Sequence, residues 1–254
     1  MMRRFALVTL VAVALLAGCG KTTVGKGRII VMPPIPNGEV SQYVMLANGE
    51  QNGTFLMAAF QDSFNKQAAW RLHLTARTVN GGIPTVDSSI VFVTRDSLLP
   101  LTSFRFVKTG NAMVSTAANY LMDGVAVSTW SAQNEIQRML PRSTQSFDAD
   151  QLTFLCRALR PPQDRPVNID VVSPMGPPDG GIVFEGKIGA ASDQQVTVPA
   201  GTFDCARVVL NVGPHVIMLW YEKTGSRRLV RYEQMGAGMV MELVGTQVVP
   251  QLPN

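Results

Sequence analysis

Histidine is nearly absent from this chain: His73 and His215 are the two in 254 residues. Cysteine is scarce as well, at Cys19, Cys156 and Cys205. Zinc sites and nucleophilic triads draw on these residue types, and neither Cys156 nor Cys205 lies near a histidine in sequence. No GxSxG or HExxH pattern occurs. No carboxylate pair or Cys–His constellation falls on one strand or helix face. The expectation is therefore a protein with no catalytic residues, no metal ligands and no cofactor, and not an enzyme. Charge is sparse too, at 16% of residues with a net +4. Residues 1–18 hold Arg3 and Arg4 and no acid, so losing them would take that figure to +2. So small an excess argues against nucleic acid. What the chain has is apolar residues, 46% of the total, enough for a folded core.

One long apolar run exists, Phe5 to Leu16, directly after Arg3 and Arg4. It falls short of the ~20 residues that a membrane-spanning helix needs. A basic start, an apolar middle and a small-residue end are the pattern of a secretory signal peptide. Leu16-Ala17-Gly18-Cys19 resembles the bacterial lipobox, which implies cleavage between Gly18 and Cys19 and a diacylglycerol on the Cys19 thiol. Gly20-Lys21-Thr22 is not the end of a phosphate-binding loop, because Leu15 stands where that motif needs glycine. The expected compartment is oxidising, so disulfides are permitted. Gly20 follows the lipidated cysteine where Asp could stand. By resemblance to enterobacterial sorting this points to the outer membrane, facing the periplasm, with the membrane itself as a partner through the lipid.

Lys21 to Asn37 contains Pro33, Pro34 and Pro36 and reads as a tether. Turn pairs then recur: Asn48-Gly49, Asn52-Gly53, Asn80-Gly81, Gly110-Asn111, Asp123-Gly124, Asp179-Gly180 and Thr224-Gly225. Short runs rich in Val, Thr, Phe, Trp and Tyr lie between them, which predicts an antiparallel all-β core. In Ala69 to Val79, Trp70, Leu72, Leu74 and Ala76 share one face, and the alternation predicts His73 on the water side between Arg71 and Arg77. Phe147 to Pro162 breaks the β rhythm. Asp148 caps a helix, Gln151 completes the box, and Leu152, Leu155, Cys156 and Leu159 form an apolar stripe ended by Pro161-Pro162. Capping explains Asp148 and Asp150 more simply than a catalytic pair does. Arg157 and Arg160 suit the negative helix end. Val216 to Tyr221 is apolar at every position, so both faces of that strand must be covered. The chain thus divides into a signal peptide over 1–18, anchor and tether over 19–37, one β-rich domain over 38–246 and a tail over 247–254.

The stretch VTVPAGTFDCARVVL, Val196 to Leu210, reads as two strands around a Pro199–Gly201 turn. Ala206, Val208, Leu210 and Val212 share one face of the second strand; Phe203, Cys205, Arg207 and Asn211 share the other. VPAGTFD, a strand, the tryptophan of LWY and then Arg228-Leu229-Val230-Arg231-Tyr232 together resemble the bacterial exported family of domain of unknown function 3108. Gly38-Glu39 with Tyr43, Asp96 to Pro100, and the Phe147–Leu159 segment agree with it over most of residues 38–246. The Pro161-Pro162 helix end departs from the family. The resemblance implies a mainly β fold, a curved half-barrel-like antiparallel sheet wrapped around one amphipathic helix, similar in outline to periplasmic lipoprotein carriers. It supplies no activity.

Two functional readings follow. The concave sheet can hold an acyl chain or other apolar ligand, lined by Met218, Trp220, Met239 and Met241, with Met235 nearby. Alternatively the protein is a structural or partner-binding envelope component, with Arg227, Arg228 and Arg231 turned to phosphates or an acidic partner. Cys156 and Cys205 can form one disulfide if the helix packs on the strand face that carries Cys205.

Overall fold

The computed structural model describes residues 30–159, 165–176 and 180–250. Gly18, Cys19, Arg160 and Pro161-Pro162 lie outside the described residues. Eight strands follow one another as an antiparallel meander: β1 (Glu39–Ala47), β2 (Glu50–Phe64), β3 (Gln67–Asn80), β4 (Ile83–Thr94), β5 (Pro100–Thr109), β6 (Ala112–Tyr120), β7 (Val125–Trp130) and β8 (Glu135–Leu140). After β9 (Ser146–Asp148) come a 3-10 turn (Ala149–Gln151) and the helix α1 (Leu152–Ala158). A second meander completes the chain: β10 (Val167–Ser173), β11 (Ile182–Val198), β12 (Gly201–Val212), β13 (His215–Glu222), β14 (Leu229–Gln234) and β15 (Met239–Val248). The two meanders join where β1 pairs antiparallel with β15, and β9 adds to β10 in parallel. The result is one sheet with β8 and β9 at its edges.

The sheet curls until its two ends touch. Tyr120, Val125, Val127 and Leu140 from β6 to β8 pack with Val172 of β10 and Val183 of β11. Among the described residues no ladder of backbone hydrogen bonds closes this seam, and side chains and the β8–β9 connection hold it. There Gln145 accepts from the Asp170 backbone N–H at 3.0 Å. Gly181 sits under Leu140, where an added Cβ would come within 2.7 Å of its Cδ1. The expected curved sheet around a helix is therefore present, and its curvature brings the edges to contact.

Inside the curl lies α1. A capping box starts it: Asp148 Oδ1 accepts from the Asp150 N–H at 2.9 Å, and Gln151 Oε1 accepts from the Asp148 N–H at 3.3 Å. The helix is shorter than the expected Asp148–Arg160 span and is not merely striped. Leu152, Phe154, Leu155, Cys156, Arg157 and Ala158 are all buried. A helix covered on all sides is an interior element, and each large apolar side chain it buries stabilises by roughly 1.5–3 kcal/mol. Leu159 leaves the helix in extended form and bridges to Ile30.

Polar ties fix the helix from several directions. Arg157 stands in the last turn of the helix, as expected, and also ties it to the sheet. Its guanidinium meets Glu39 of β1 in a two-pronged ion pair at 2.7 and 3.0 Å, with side-chain exposures of 2% and 6%. Its Nε donates to the Ser226 carbonyl at 2.7 Å. The Tyr221 hydroxyl donates to the Thr153 carbonyl at 2.6 Å, and Gln151 Nε2 donates to the Leu98 carbonyl at 2.7 Å.

Several local expectations need correction. Asn52-Gly53 is not a turn but a bulge within β2: Met45 pairs with Gly53 and Leu46 with Gln51, leaving Asn52 as the extra residue. Only glycine fits at position 53, because a Cβ there would stand 2.3 Å from the Arg77 carbonyl oxygen. The turn falls at Asn65-Lys66 instead, both with positive φ. The segment read as tether packs from Ile30 onward: Val31 donates to the Ala158 carbonyl, and Ile35 is buried. β15 runs on to Val248, past the expected start of the tail. Cys205, placed with the polar face of its strand, is buried, beside a register shift between Ala191 and Gln194 in the facing strand. Val216 to Tyr221 is covered on both faces at Leu219, Trp220 and Tyr221, whereas Val216 is 37% exposed.

Removing one partner of a buried ion pair leaves a charge without compensation, at a cost of about 3–5 kcal/mol. Glu39→Gln is expected to lower stability by that amount in urea unfolding with an unchanged slope. Glu39→Leu combined with Arg157→Met should lose less than either single change. An equal or larger loss in the double variant would mean that the pair is not the contact holding the helix.

Candidate functional site

Strand register brings one set of residues to the concave face beside α1. Tyr232 of β14 pairs with Met241 of β15, which pairs with Met45 of β1. Phe55 of β2 pairs with Ala76 of β3, and Ala76 with Asp87 of β4. Leu74 pairs with Ser89, and Ser89 with Arg105 of β5. Together with Met239, and with Ala149, Asp150 and Thr153 of the helical segment, these residues line a cavity of about 330 Å³ between sheet and helix. That volume lies at the lower end of the range for small-molecule sites.

The cavity has two unlike ends. Met45, Phe55, Leu74, Met239, Met241 and Tyr232 form an apolar wall from β1, β2, β3, β14 and β15. Asp87, Ser89, Arg105, Asp150 and Thr153 form the other. Three of the five N–H groups of Arg105 are bonded to carboxylates there. Its Nε and Nη2 donate to the two Asp87 oxygens at 2.9 and 2.6 Å, and Nη1 donates to Asp150 Oδ1 at 3.1 Å. Behind the wall the Tyr120 hydroxyl donates to Asp148 Oδ2 at 2.6 Å. Burial raises the carboxyl of Asp148. Burial first, and then the charge of Asp148, push Asp150 up to about 7, against the opposing pull of Arg105. The Thr153 hydroxyl oxygen is buried on this wall with no hydrogen-bond partner among the described residues.

The four residues expected to line a ligand separate. Met239 and Met241 are in the cavity. Trp220 is on the other face of β13, where its Nε1 donates to Gln194 at 3.2 Å and Arg231 lies over its ring at 5.6 Å. Met218 pairs with Val209 and Glu233 and is not part of this lining. Met235, at the end of β14, is 44% exposed. Period two explains the split: Trp220 and Met218 share one strand face, and Leu219 and Tyr221 hold the inward one. Asp87, Ser89, Arg105 and Thr153 were not anticipated from the sequence.

Other candidates resolve differently. Cys156 and Cys205 are free thiols, not a disulfide. Burial raises both, Cys205 to about 11, which suits neither as a nucleophile. His73 is on the outer face of its strand, as the alternation predicts, but not fully open to water. It is half-buried, bonds the Ser88 hydroxyl at 3.1 Å, and is lowered by burial and then by Arg71. It lines a groove of about 860 Å³ on the outer face with Leu56, Thr75, Arg77 and Val244. The three arginines proposed for phosphates are engaged within the chain. Arg227 is buried over Tyr221, Arg228 pairs with Glu222, and Arg231 pairs with Glu233 and Glu242. Among the described residues no helix is long and apolar enough to cross a membrane.

The fold is of the β-barrel-like class. A crystal structure of a β-barrel-like protein of domain of unknown function DUF1849 from Brucella abortus is similar to it, with a TM-score of 0.57. The likeness covers 87% of this chain and all of that one at 11% identity, and is a likeness of fold alone. No family model matches the chain, and no curated protein matches it.

A carboxyl raised by burial keeps its proton in the folded state at pH values where the unfolded chain has lost it. Stability must then fall as pH rises from about 4 towards 7. Thermal melts should show this fall, and Asp150→Asn should shrink it while Asp148 maintains a remainder. An identical slope in the variant would show that Asp150 ionises normally.

Proposed function

We propose that this protein is a lipid-anchored envelope protein, attached through Cys19, that holds an apolar ligand between the concave sheet and α1. The observation that carries the reading is the two-ended cavity. A wall of Met45, Met239, Met241, Phe55 and Leu74 faces a cluster of polar groups, and one hydroxyl there has no partner among the described residues. Binding sites combine such apolar walls with a few convergent polar groups, and methionine adapts to ligands of irregular shape. A core under selection for packing alone would fill this volume. The signal-peptide pattern, the lipobox-like Leu16 to Cys19 and the resemblance to the exported 3108 family support the location. The alternative, a structural or partner-binding envelope protein, would have to use Arg227, Arg228 and Arg231 while they are stacked or paired within the chain.

Native mass spectrometry tests this on the chain from Lys21 onward, exported to a bacterial periplasm; that chain keeps every described contact. A reproducible added mass that organic solvent extracts as a lipid or other apolar compound is expected. A bare protein mass, unchanged after incubation with envelope lipid extract, would contradict ligand binding.

A further inference from the structure

The polar end of the cavity restricts the kind of ligand it can take, an inference that rests on the ligand-binding reading above. Two carboxylates, Asp87 and Asp150, face the cavity against one cation, Arg105. Every donor-bearing nitrogen of that guanidinium already points at a carboxylate oxygen. An anionic head would find no free cation there and would meet two acids, with a third, Asp148, buried behind them. The titratable and charged groups around this end are Asp87 on β4, Arg105 on β5, Tyr120 on β6, Asp148 on β9, Asp150 on the 3-10 turn, Tyr221 on β13 at the Thr153 carbonyl and Tyr232 on β14, with Arg142 stacked over the Tyr120 ring outside. No lysine or histidine lines the cavity. The Thr153 hydroxyl is a further, uncharged polar group on the same wall: its oxygen can accept a hydrogen bond and has no partner among the described residues.

We propose that this end receives a positively charged, hydrogen-bond-donating head, so that the ligand is an amphiphile with an apolar body and an ammonium-type group, not a fatty acid or a phosphate ester. The ammonium donates to Asp150 and to the Thr153 oxygen, and the hydrocarbon lies along Met45, Met239 and Met241. A carboxylate placed there would meet Asp87 and Asp150 with Arg105 already bonded to both. At pH 8 an ammonium would instead pair with the Asp150 carboxylate.

Isothermal titration of the Lys21-onward chain with n-octylammonium, octanoate and 1-octanol at pH 8 tests the inference with one chain length and three heads. Octylammonium is expected to bind at least tenfold more tightly than either of the others. Asp150→Asn should cut this advantage severalfold while leaving octanol affinity unchanged. If that variant fails to fold, the wild-type comparison decides alone. Octanoate or octanol binding as tightly as the amine would overturn the charge inference and leave the apolar-ligand reading standing. No binding by any of the three would bring down both.

Discussion

The fold depends on one buried contact, the two-pronged pairing of Arg157 with Glu39. Glu39 opens the first strand and Arg157 sits near the end of the helix, so the pair spans 118 positions of sequence. A pair this deeply buried adds little net stability over apolar residues of similar size, but separating its members costs several kcal/mol. It therefore penalises every helix position in which the two do not meet. Once Arg157 is placed, Thr153 reaches Tyr221, Gln151 reaches Leu98, and Asp148 reaches Tyr120. The cavity lies beside the start of this helical segment, lined by Ala149, Asp150 and Thr153.

The same geometry explains why charge accumulates beside the cavity. The capping box that starts the helix needs Asp148 inside the curl. Asp150 follows two residues later and comes to face β4 and β5. Arg105 compensates part of this, using one carboxylate of its own sheet and one of the helical turn. The acids that begin the helix thus also form the polar end of the cavity, next to a wall that is otherwise methionine, leucine and aromatic.

Much of the architecture was legible in the residues. Asn48-Gly49 carries positive φ at both positions and forms the β1–β2 turn, Val198 pairs with Gly201 around Pro199-Ala200, and Asp148 with Gln151 caps the helix as its spacing requires. The cavity was legible only in part. Arg105 stands between Phe104 and Phe106, and alternation alone would turn the phenylalanines inward. Phe104 is instead 44% exposed while Arg105 faces the helix. Asp87 likewise looks like an ordinary strand acid until Arg105 is known to face it. Methionines at 218, 239 and 241 looked equivalent in sequence, yet strand parity sends Met218 to the other face. Register between neighbouring strands brings Asp87 and Arg105 together, and the alternation within either strand does not encode that register.

The most direct test of the account locates an apolar guest among the methionines. With methyl-labelled methionine, NMR titration with 1-octanol reports each site separately. The account predicts shifts at Met45, Met239 and Met241, which line the cavity, and none at the exposed Met113, Met122 and Met139. Binding in the outer groove beside His73 would leave all six unmoved, since no methionine lines it. Unmoved signals at Met45, Met239 and Met241 under saturating octanol would contradict the claim that the inner cavity is the binding site.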